Sequence, residues 1–258
     1  MSVFLVLAFL FCIGSLVGWG IEVLFRKFFS DSNPEHKWVN PGFLTGPYLP
    51  LYGSGLVILF LIAALEDRIP FSDPIVAKAV LFLIMAVCMT GIEYFAGIMS
   101  LKIGHVRLWD YSNNWGNIQG IICPLFSLFW TILGAIYYFL IHPHVLNALY
   151  WLANNLAFSF FIGMFYGIFL LDLVHASKIL VTISRFAAEK QIVVHYEDLK
   201  ERIRTYNISH ILRARFIFSM YSDRSIRDHL SDYYESVIPR VSRLKDVVEN
   251  LPKPSRKK

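Results

Sequence analysis

The hydrophobic residues of this chain occur in long uncharged stretches rather than in the alternating pattern of strands. The stretches cover residues 2–21, 39–65, 79–101, 112–141 and 145–171, with Glu93 as the only charged residue. Each is long enough to cross a hydrocarbon core about 30 Å thick as a helix. Because they are continuous, they predict helices rather than the strands of a barrel. We therefore predict an all-α integral membrane protein with five transmembrane helices.

Composition agrees with a membrane protein. Only 17 % of the residues are charged, whereas a soluble domain carries about a quarter. Seventeen of the 24 Lys and Arg residues follow position 177. The net charge of +5 therefore belongs to the tail and loops, where basic residues near a membrane contact anionic headgroups. The predicted partner of this charge is the lipid bilayer and not nucleic acid.

The distribution of Lys and Arg also predicts the orientation. The loops after the first and third helices hold Arg26, Lys27, Lys37, Lys102 and Arg107, while the loop after the fourth helix holds none. The positive-inside rule then places the N-terminus outside and the long tail in the cytoplasm. The first stretch lacks a basic leader and a cleavage site, so we expect it to be retained. The prediction is a multi-pass protein of the cell membrane.

The first half of the chain contains a repeated motif. Residues 40–52 and 114–126 both read Asn-x-Gly-x3-Gly-x3-Pro-Leu-aromatic, and each is preceded by Gly-Ile-Glu, at 20–22 and 91–93. Two crossings per unit return the chain to its starting side, so the repeats must be parallel, with a site expected between them. Several spans also carry Gly pairs four residues apart, Gly14 with Gly18 and Gly163 with Gly167, which predict close helix packing.

The pattern divides the chain into four segments. Residues 1–66 and 67–142 form the two repeats, 143–176 a fifth helix outside the symmetry, and 177–258 a cytoplasmic amphipathic tail. Within the repeats we expect one helix to be entered through Pro41–Pro50 and to run to Leu65 and another to run from about Asn117 to Ile141, with His142-Pro-His144 as an exterior turn. In the tail, apolar residues recur at helical spacing from Val193 to Tyr206 and from Ile226 to Val237. They predict two helices, the second capped by Ser222 and interrupted by Pro239, before a basic end at 252–258.

Glu22 and Glu93 are the first candidate site residues. A carboxylate in a membrane span is costly unless it is paired or faces water, so it marks a pathway or site. Both occupy the same place in the repeated Gly-Ile-Glu motif and could share one cavity if the first and third helices face each other. The alternatives are an ion pair between Glu22 and Arg26, four residues later, and an interhelical hydrogen bond for Glu93.

The doubled motif and the run before its second copy supply the other candidates. Glycine and proline at helix entries leave backbone groups free to line a polar cavity, although Asn could serve only as a helix cap. Arg107 could bind a phosphate or carboxylate, or pair with Asp110. The predicted substrate-binding set is completed by Asn40, Gly42, Gly46, Pro50, Asn114, Asn117 and Gly120.

No cofactor or metal site is predicted. The histidines and the cysteines Cys12, Cys88 and Cys123 lack the spacing of metal ligands or disulfide frameworks. The chain contains no phosphate-binding loop, no nucleophile elbow and no zinc-protease helix. If ATP is used, a separate ATPase subunit must hydrolyse it. Association of several copies is compatible with the sequence, which does not specify it.

Two segments resemble a bacterial membrane family, the type IV ABC-transporter (CmpB-like) family. They are Gly42-Phe-Leu-Thr-Gly-Pro-Tyr-Leu-Pro-Leu-Tyr-Gly53 and Trp109-Asp-Tyr-Ser112 with the following Asn117, Gly120 and Cys123. The family usually has Arg where this chain has Ile121, so no role is carried over to that position. The resemblance covers roughly residues 1–175 and implies a permease-like protein; the tail lies outside it.

Three functions follow as hypotheses. The first is a membrane permease subunit, not an enzyme, that binds a small or lipid-like substrate between two parallel repeats. The second is a membrane enzyme acting on a lipid headgroup with Glu93, Asp110 and Arg107. The third is a scaffold or sensor that signals through its tail. An enzyme needs polar groups converging on one reacting atom, a permease needs a path between the repeats, and a scaffold needs an exposed apolar face on the tail.

Overall fold

Helices make up most of the structure, a computed structural model that describes residues 2–30, 33, 35–71, 73–209, 220 and 222–249. The helices of the apolar part are α1 (Val3–Phe28), α2 (Pro50–Ala63), α3 (Pro74–Gly104), α4 (Pro124–Ile136), α5 (His142–Asn154) and α6 (Ser159–Lys190). The other elements are the strands β1 (Val106–Arg107) and β2 (Val194–His195) and the helices α7 (Tyr196–Ser209) and α8 (Ile226–Glu249).

Four helical segments of the described chain are long and apolar enough to cross a membrane. They are α1, α3, the continuous segment Pro124–Asn154, and Leu156–Lys190. The predicted second span, α2, is not among them, because it has only 14 residues and a length of about 21 Å, so five spans are not confirmed. The reason is local: residues 39–49 are not helical, and the helix begins only at Pro50, whose fixed φ suits the first helical position.

The fourth helix begins later than the sequence suggested. It starts at Pro124 and not at Asn117, because Gly116, Gln119 and Gly120 have φ values of +66°, +57° and +67°, which a right-handed helix excludes. In both copies of the motif the Asn therefore lies ten residues before the helix, at positions 40 and 114, which excludes the alternative that it caps the helix.

The predicted exterior turn at His142-Pro-His144 is instead part of a helix. α4 continues through a π turn, Tyr137–Ile141, directly into α5. Pro143 has no N–H to donate to the preceding turn, and the π turn stands just before it, where such an irregularity is expected. The Tyr137 hydroxyl and His142 Nδ1 lie 2.8 Å apart across this turn. The last long helix, α6, accordingly begins at Ser159 and continues to Lys190, beyond the segment 143–176 that the sequence assigned to the fifth helix.

Glycines bring α1 and α2 into close contact. A Cβ at Gly18 would overlap the Tyr52 side chain, and one at Gly14 would lie 2.8 Å from Leu56 Cβ, so this pair packs helices as predicted. Gly163 and Gly167 differ: a Cβ at either would meet no atom of the described chain within 4 Å. The predicted packing role of that second pair has no partner within these residues.

The tail folds back onto the loops of the membrane part. Its two predicted apolar stripes meet the end of α6 in one core, which also includes Val106 of β1. Its buried members are Val106, Ile183, Phe186, Ala187, Val194, Tyr196, Leu199, Ile203, Leu230 and Tyr233. α8 runs through Pro239 without a break, and Ser225, not Ser222, accepts the N–H of Asp228 in its first turn. The predicted basic end at 252–258 lies outside the described residues.

Candidate functional site

Glu22 lies near the end of α1 and is held from two sides. The Tyr52 hydroxyl of α2 donates to its Oε2 at 2.8 Å, and Arg26 Nε donates to its Oε1 at 3.0 Å. The ion pair expected from the four-residue spacing is therefore present. Tyr52 reaches the carboxylate because Gly18 lets the two helices approach.

Glu93 is more deeply buried, with an exposed fraction of 3 %. The Tyr111 hydroxyl donates to its Oε1 at 3.1 Å, and Trp130 Nε1 of α4 donates to its Oε2 at 3.0 Å. Both oxygens therefore accept from neutral groups. The interhelical hydrogen bond expected for this residue is present, and it joins α3 to α4.

A pair of aromatic rings connects the two carboxylates. Tyr52, bonded to Glu22, and Trp130, bonded to Glu93, have ring centroids 5.2 Å apart. Phe126 occupies the motif position of Tyr52 in the second repeat but has no hydroxyl. Tyr111 stacks on Phe126 with ring centroids 4.2 Å apart. Its hydroxyl donates to Glu93 as the Tyr52 hydroxyl donates to Glu22. One buried cluster thus contains residues from both copies of the motif.

The first motif forms a loop that its own asparagine braces. Asn40 is 1 % exposed; its Oδ1 accepts from Trp19 Nε1 at 2.9 Å and from the N–H of Gly42 at 3.2 Å. Its Nδ2 donates to the carbonyls of Leu44 and Thr45. The loop ends at Pro50, the first residue of α2. Asn40 and Gly42 therefore shape the helix entry.

Asp172 of α6 holds the same loop from outside. Its Oδ2 accepts from the N–H of Gly46 at 2.8 Å and from the Tyr48 hydroxyl at 2.6 Å. Gly46 is required here because a Cβ would overlap the Tyr48 ring. Our sequence reasoning missed Asp172, although an acid at the end of an uncharged span was a usable signal.

The second loop connects α3 to α4 and contains the second motif. In it, Arg107 NH1 lies 3.1 Å from Asp110 Oδ1, so the two side chains form an ion pair. Partial burial opposes ionisation, but hydrogen bonds from Ser112 and the charge of Arg107 hold the pKa of Asp110 below its ordinary value. Gly120 lies against this cluster, and any side chain there would strike Arg107, Ser112 and Asp110. The pair organises the loop.

Asn114 and Asn117 also brace the second loop. Asn117 accepts from the N–H of Gly120 at 3.0 Å and donates to the carbonyls of Ser112 and Asn114. Asn114 donates to Cys123 Sγ at 3.4 Å. Of the predicted site residues, Glu22 and Glu93 thus lie in the buried cluster, while the others build the loops that lead into α2 and α4.

Charged side chains tie α7 of the tail to α1 and to the loop before α2. Arg26 NH1 donates to Glu197 Oε1 at 2.8 Å, and Lys200 Nζ lies 2.9 Å from Glu197 Oε2. Lys200, 7 % exposed in its side chain, also donates to the carbonyl of Asn40 at 3.1 Å. Burial opposes ionisation, but Lys200 and Arg26 hold the pKa of Glu197 below its ordinary value. This connection was missed because acids and lysines on an amphipathic helix usually face solvent.

The same part of the tail contacts the second repeat. β2 pairs in parallel with β1, with Val194 opposite Val106, and the N–H of Val194 donates to the carbonyl of His105 at 3.0 Å. His195 Nδ1 also lies 3.7 Å from Asp110 Oδ2. Residues 194–200 therefore contact the loops of both repeats.

Comparison with known proteins gives one match. The model of the family described as "Putative ABC-transporter type IV" matches residues 9–177. No curated protein and no solved structure matches the chain. The matched range includes both motifs, the partly buried Glu22 and the buried Glu93, and ends before the docked tail.

Proposed function

The chain belongs to the family described as "Putative ABC-transporter type IV", and from this premise we propose that it is a membrane permease subunit whose substrate, small or lipid-like, passes between the two repeats. The observation that supports this site is the buried cluster in which Tyr52 and Trp130 connect Glu22 with Glu93. Carboxylates retained inside a span are typical of substrate and ion pathways.

We further propose that α2 completes this path as a short helix entered through a folded loop, with the N-terminus outside and the tail in the cytoplasm. Irregular backbone at membrane depth is tolerated where protein or a cavity covers it. The buried Asn40 and its loop hydrogen bonds support such an entry. The four-segment division of the chain belongs to the same proposal.

The other two hypotheses find less support. A headgroup enzyme with Glu93, Asp110 and Arg107 needs these groups to converge, but Asp110 bonds Arg107 and Ser112, while Glu93 bonds Tyr111 and Trp130. A scaffold needs a free apolar face on the tail, whereas both predicted stripes contribute to the core with α6.

The permease proposal predicts an ATPase partner, because the sequence contains no phosphate-binding loop. We expect the full chain, purified from its native membrane in mild detergent, to bring with it a protein that carries such a loop and hydrolyses ATP. Mass spectrometry of the complex and its rate of ATP hydrolysis are the measurements. Repeated purification without any nucleotide hydrolase would contradict the proposal.

Glu93→Gln tests the site. Glutamine keeps the shape: its carbonyl oxygen can accept from Trp130 and its amide can donate to the Tyr111 hydroxyl, but it removes the charge. We expect the variant to fold and to assemble with the ATPase, and its complex to hydrolyse ATP in lipid vesicles at about a tenth of the wild-type rate, corresponding to about 1.4 kcal/mol in the barrier.

The matched control is Glu201→Gln on α7, whose side chain is 58 % exposed. It should leave both the melting temperature in detergent and the hydrolysis rate unchanged. If Glu93→Gln is as stable and as active as this control, Glu93 only bonds helices together, and the proposed site is wrong.

A further inference from the structure

Glu93 is buried, and neither of the two side chains that donate to it carries a charge. The titratable groups around it are Tyr111 from the second loop, Glu22 from α1 and Tyr52 from α2, and Arg26 of α1 pairs with Glu22. Trp130 of α4 does not titrate in the physiological range.

The cations near the cluster are already matched. Arg26 pairs with Glu22 at 3.0 Å and with Glu197 at 2.8 Å, and Lys200 pairs with Glu197 at 2.9 Å. Two positive charges therefore face two carboxylates before Glu93 is counted. An ionised Glu93 would be a further negative charge, buried against neutral donors, and a buried charge without a cationic partner is strongly unfavourable.

The hydrogen bonds at Glu93 allow it to be neutral without any movement of heavy atoms. The indole N–H of Trp130 can only donate, so Oε2 accepts in either state. The Tyr111 hydroxyl can both donate and accept. It donates to Oε1 when the carboxyl is ionised and, after rotation of its O–H, accepts from Oε1–H when the carboxyl is protonated.

A proton is also the cation that fits the space. Both oxygens of Glu93 are engaged, at 3.1 and 3.0 Å, and the rings of Tyr52 and Phe126 pack against the donors. A metal ion or an ammonium group would have to displace Tyr111 or Trp130. A proton from water needs to form only one O–H bond, at Oε1.

We propose that Glu93, with Tyr111 and Trp130, is a proton-binding site that alternates between the ionised and the protonated carboxyl. This inference rests on the proposed function, because the site lies on the proposed pathway. It adds that the permease binds a proton. The two are tested apart, because proton binding is measured with neither ATP nor a transported substrate.

The test is infrared difference spectroscopy of the full chain in lipid vesicles, in water and in heavy water, titrated upward from about pH 6, where exposed carboxyls of pKa about 4 are already ionised. We expect the carbonyl stretch of a carboxyl that is still protonated there to disappear with rising pH, and we expect Glu93→Gln to abolish this signal. Glu22→Gln should retain it, since Glu22 pairs directly with Arg26.

Tyr111→Phe keeps the ring that stacks on Phe126 but removes the donor to the ionised form. It should raise the pH midpoint of the signal by about one unit, the equivalent of one hydrogen bond. This variant retains Glu93 and therefore tests the site even if Glu93→Gln does not fold.

Absence of a titrating carboxyl signal, or a signal with the same midpoint in Tyr111→Phe, would overturn the proposal. A signal without any associated ATPase would leave the proton site standing and refute only the ABC permease.

Discussion

Glu197→Gln is expected to detach the tail from the membrane helices. The substitution leaves Arg26 and Lys200 facing a neutral amide, with side chains only 15 % and 7 % exposed. Breaking a buried ion pair on one side costs about 3–5 kcal/mol. Because Glu197 itself is 30 % exposed, we expect a loss of about 3 kcal/mol, at the lower end of that range.

Hydrogen exchange at the amide of Val194 reports this loss directly, because that N–H donates to His105 across the contact between tail and loop. A loss of about 3 kcal/mol corresponds to roughly a hundredfold faster exchange. Glu201→Gln, on the same helix but largely exposed, should exchange like the wild type. Equal exchange in the two variants would show that the tail is held by its apolar core alone.

The same contact should weaken in acid. Because the pKa of folded Glu197 lies below its ordinary value, the stabilisation is fully present above the ordinary glutamate pKa of about 4.3 and is lost as the pH falls through the folded pKa. The protection of the Val194 amide, relative to its intrinsic exchange rate at each pH, should therefore fall in the wild type below about pH 4. In Glu197→Gln this acid dependence should be greatly reduced.

Gly18→Ala is the second substitution with a large expected effect. The new methyl group would overlap the Cβ atom and the ring of Tyr52. Rotation of the ring cannot relieve the clash, because it does not move the Cβ atom of Tyr52. α1 and α2 would have to separate, which would lengthen the 2.8 Å hydrogen bond between Tyr52 and Glu22. Overpacking of this kind costs about 1–3 kcal/mol, and we expect about 3.

Gly20→Ala is the matched control on the same helix, since a Cβ at Gly20 would meet nothing within 4 Å. Its melting temperature in detergent should equal or slightly exceed that of the wild type, because alanine favours helix over glycine by about 1 kcal/mol. Gly18→Ala should melt well below both. If the two variants melt together, the close approach of α1 and α2 does not stabilise the protein.

The candidate site could be predicted only in part. Glu22 and Glu93 were identifiable because a carboxylate in an apolar span is conspicuous. Their partners Tyr52, Tyr111 and Trp130 were not, because aromatic residues are common in spans and at membrane interfaces.

The loop motif was recognised as a helix entry, but the interpretation of its asparagines as helix caps was wrong. Backbone of positive φ before Pro124 delays the helix, and the asparagine side chains instead bond the loop carbonyls and N–H groups.

The sequence by itself determined the membrane class, the approximate positions of the long helices, the doubled motif and the two carboxylates within apolar stretches. These features follow from the length of the apolar stretches, the positions of the charged residues and the spacing within the motif, all of which are properties of residues close together in the chain. Only the tertiary structure decided that α2 is short, that Glu22 and Glu93 belong to one cluster, and that the tail docks on both loops. Those outcomes depend on residues far apart in the chain, such as Arg26 and Glu197, which are separated by 171 positions and meet only when the helices pack.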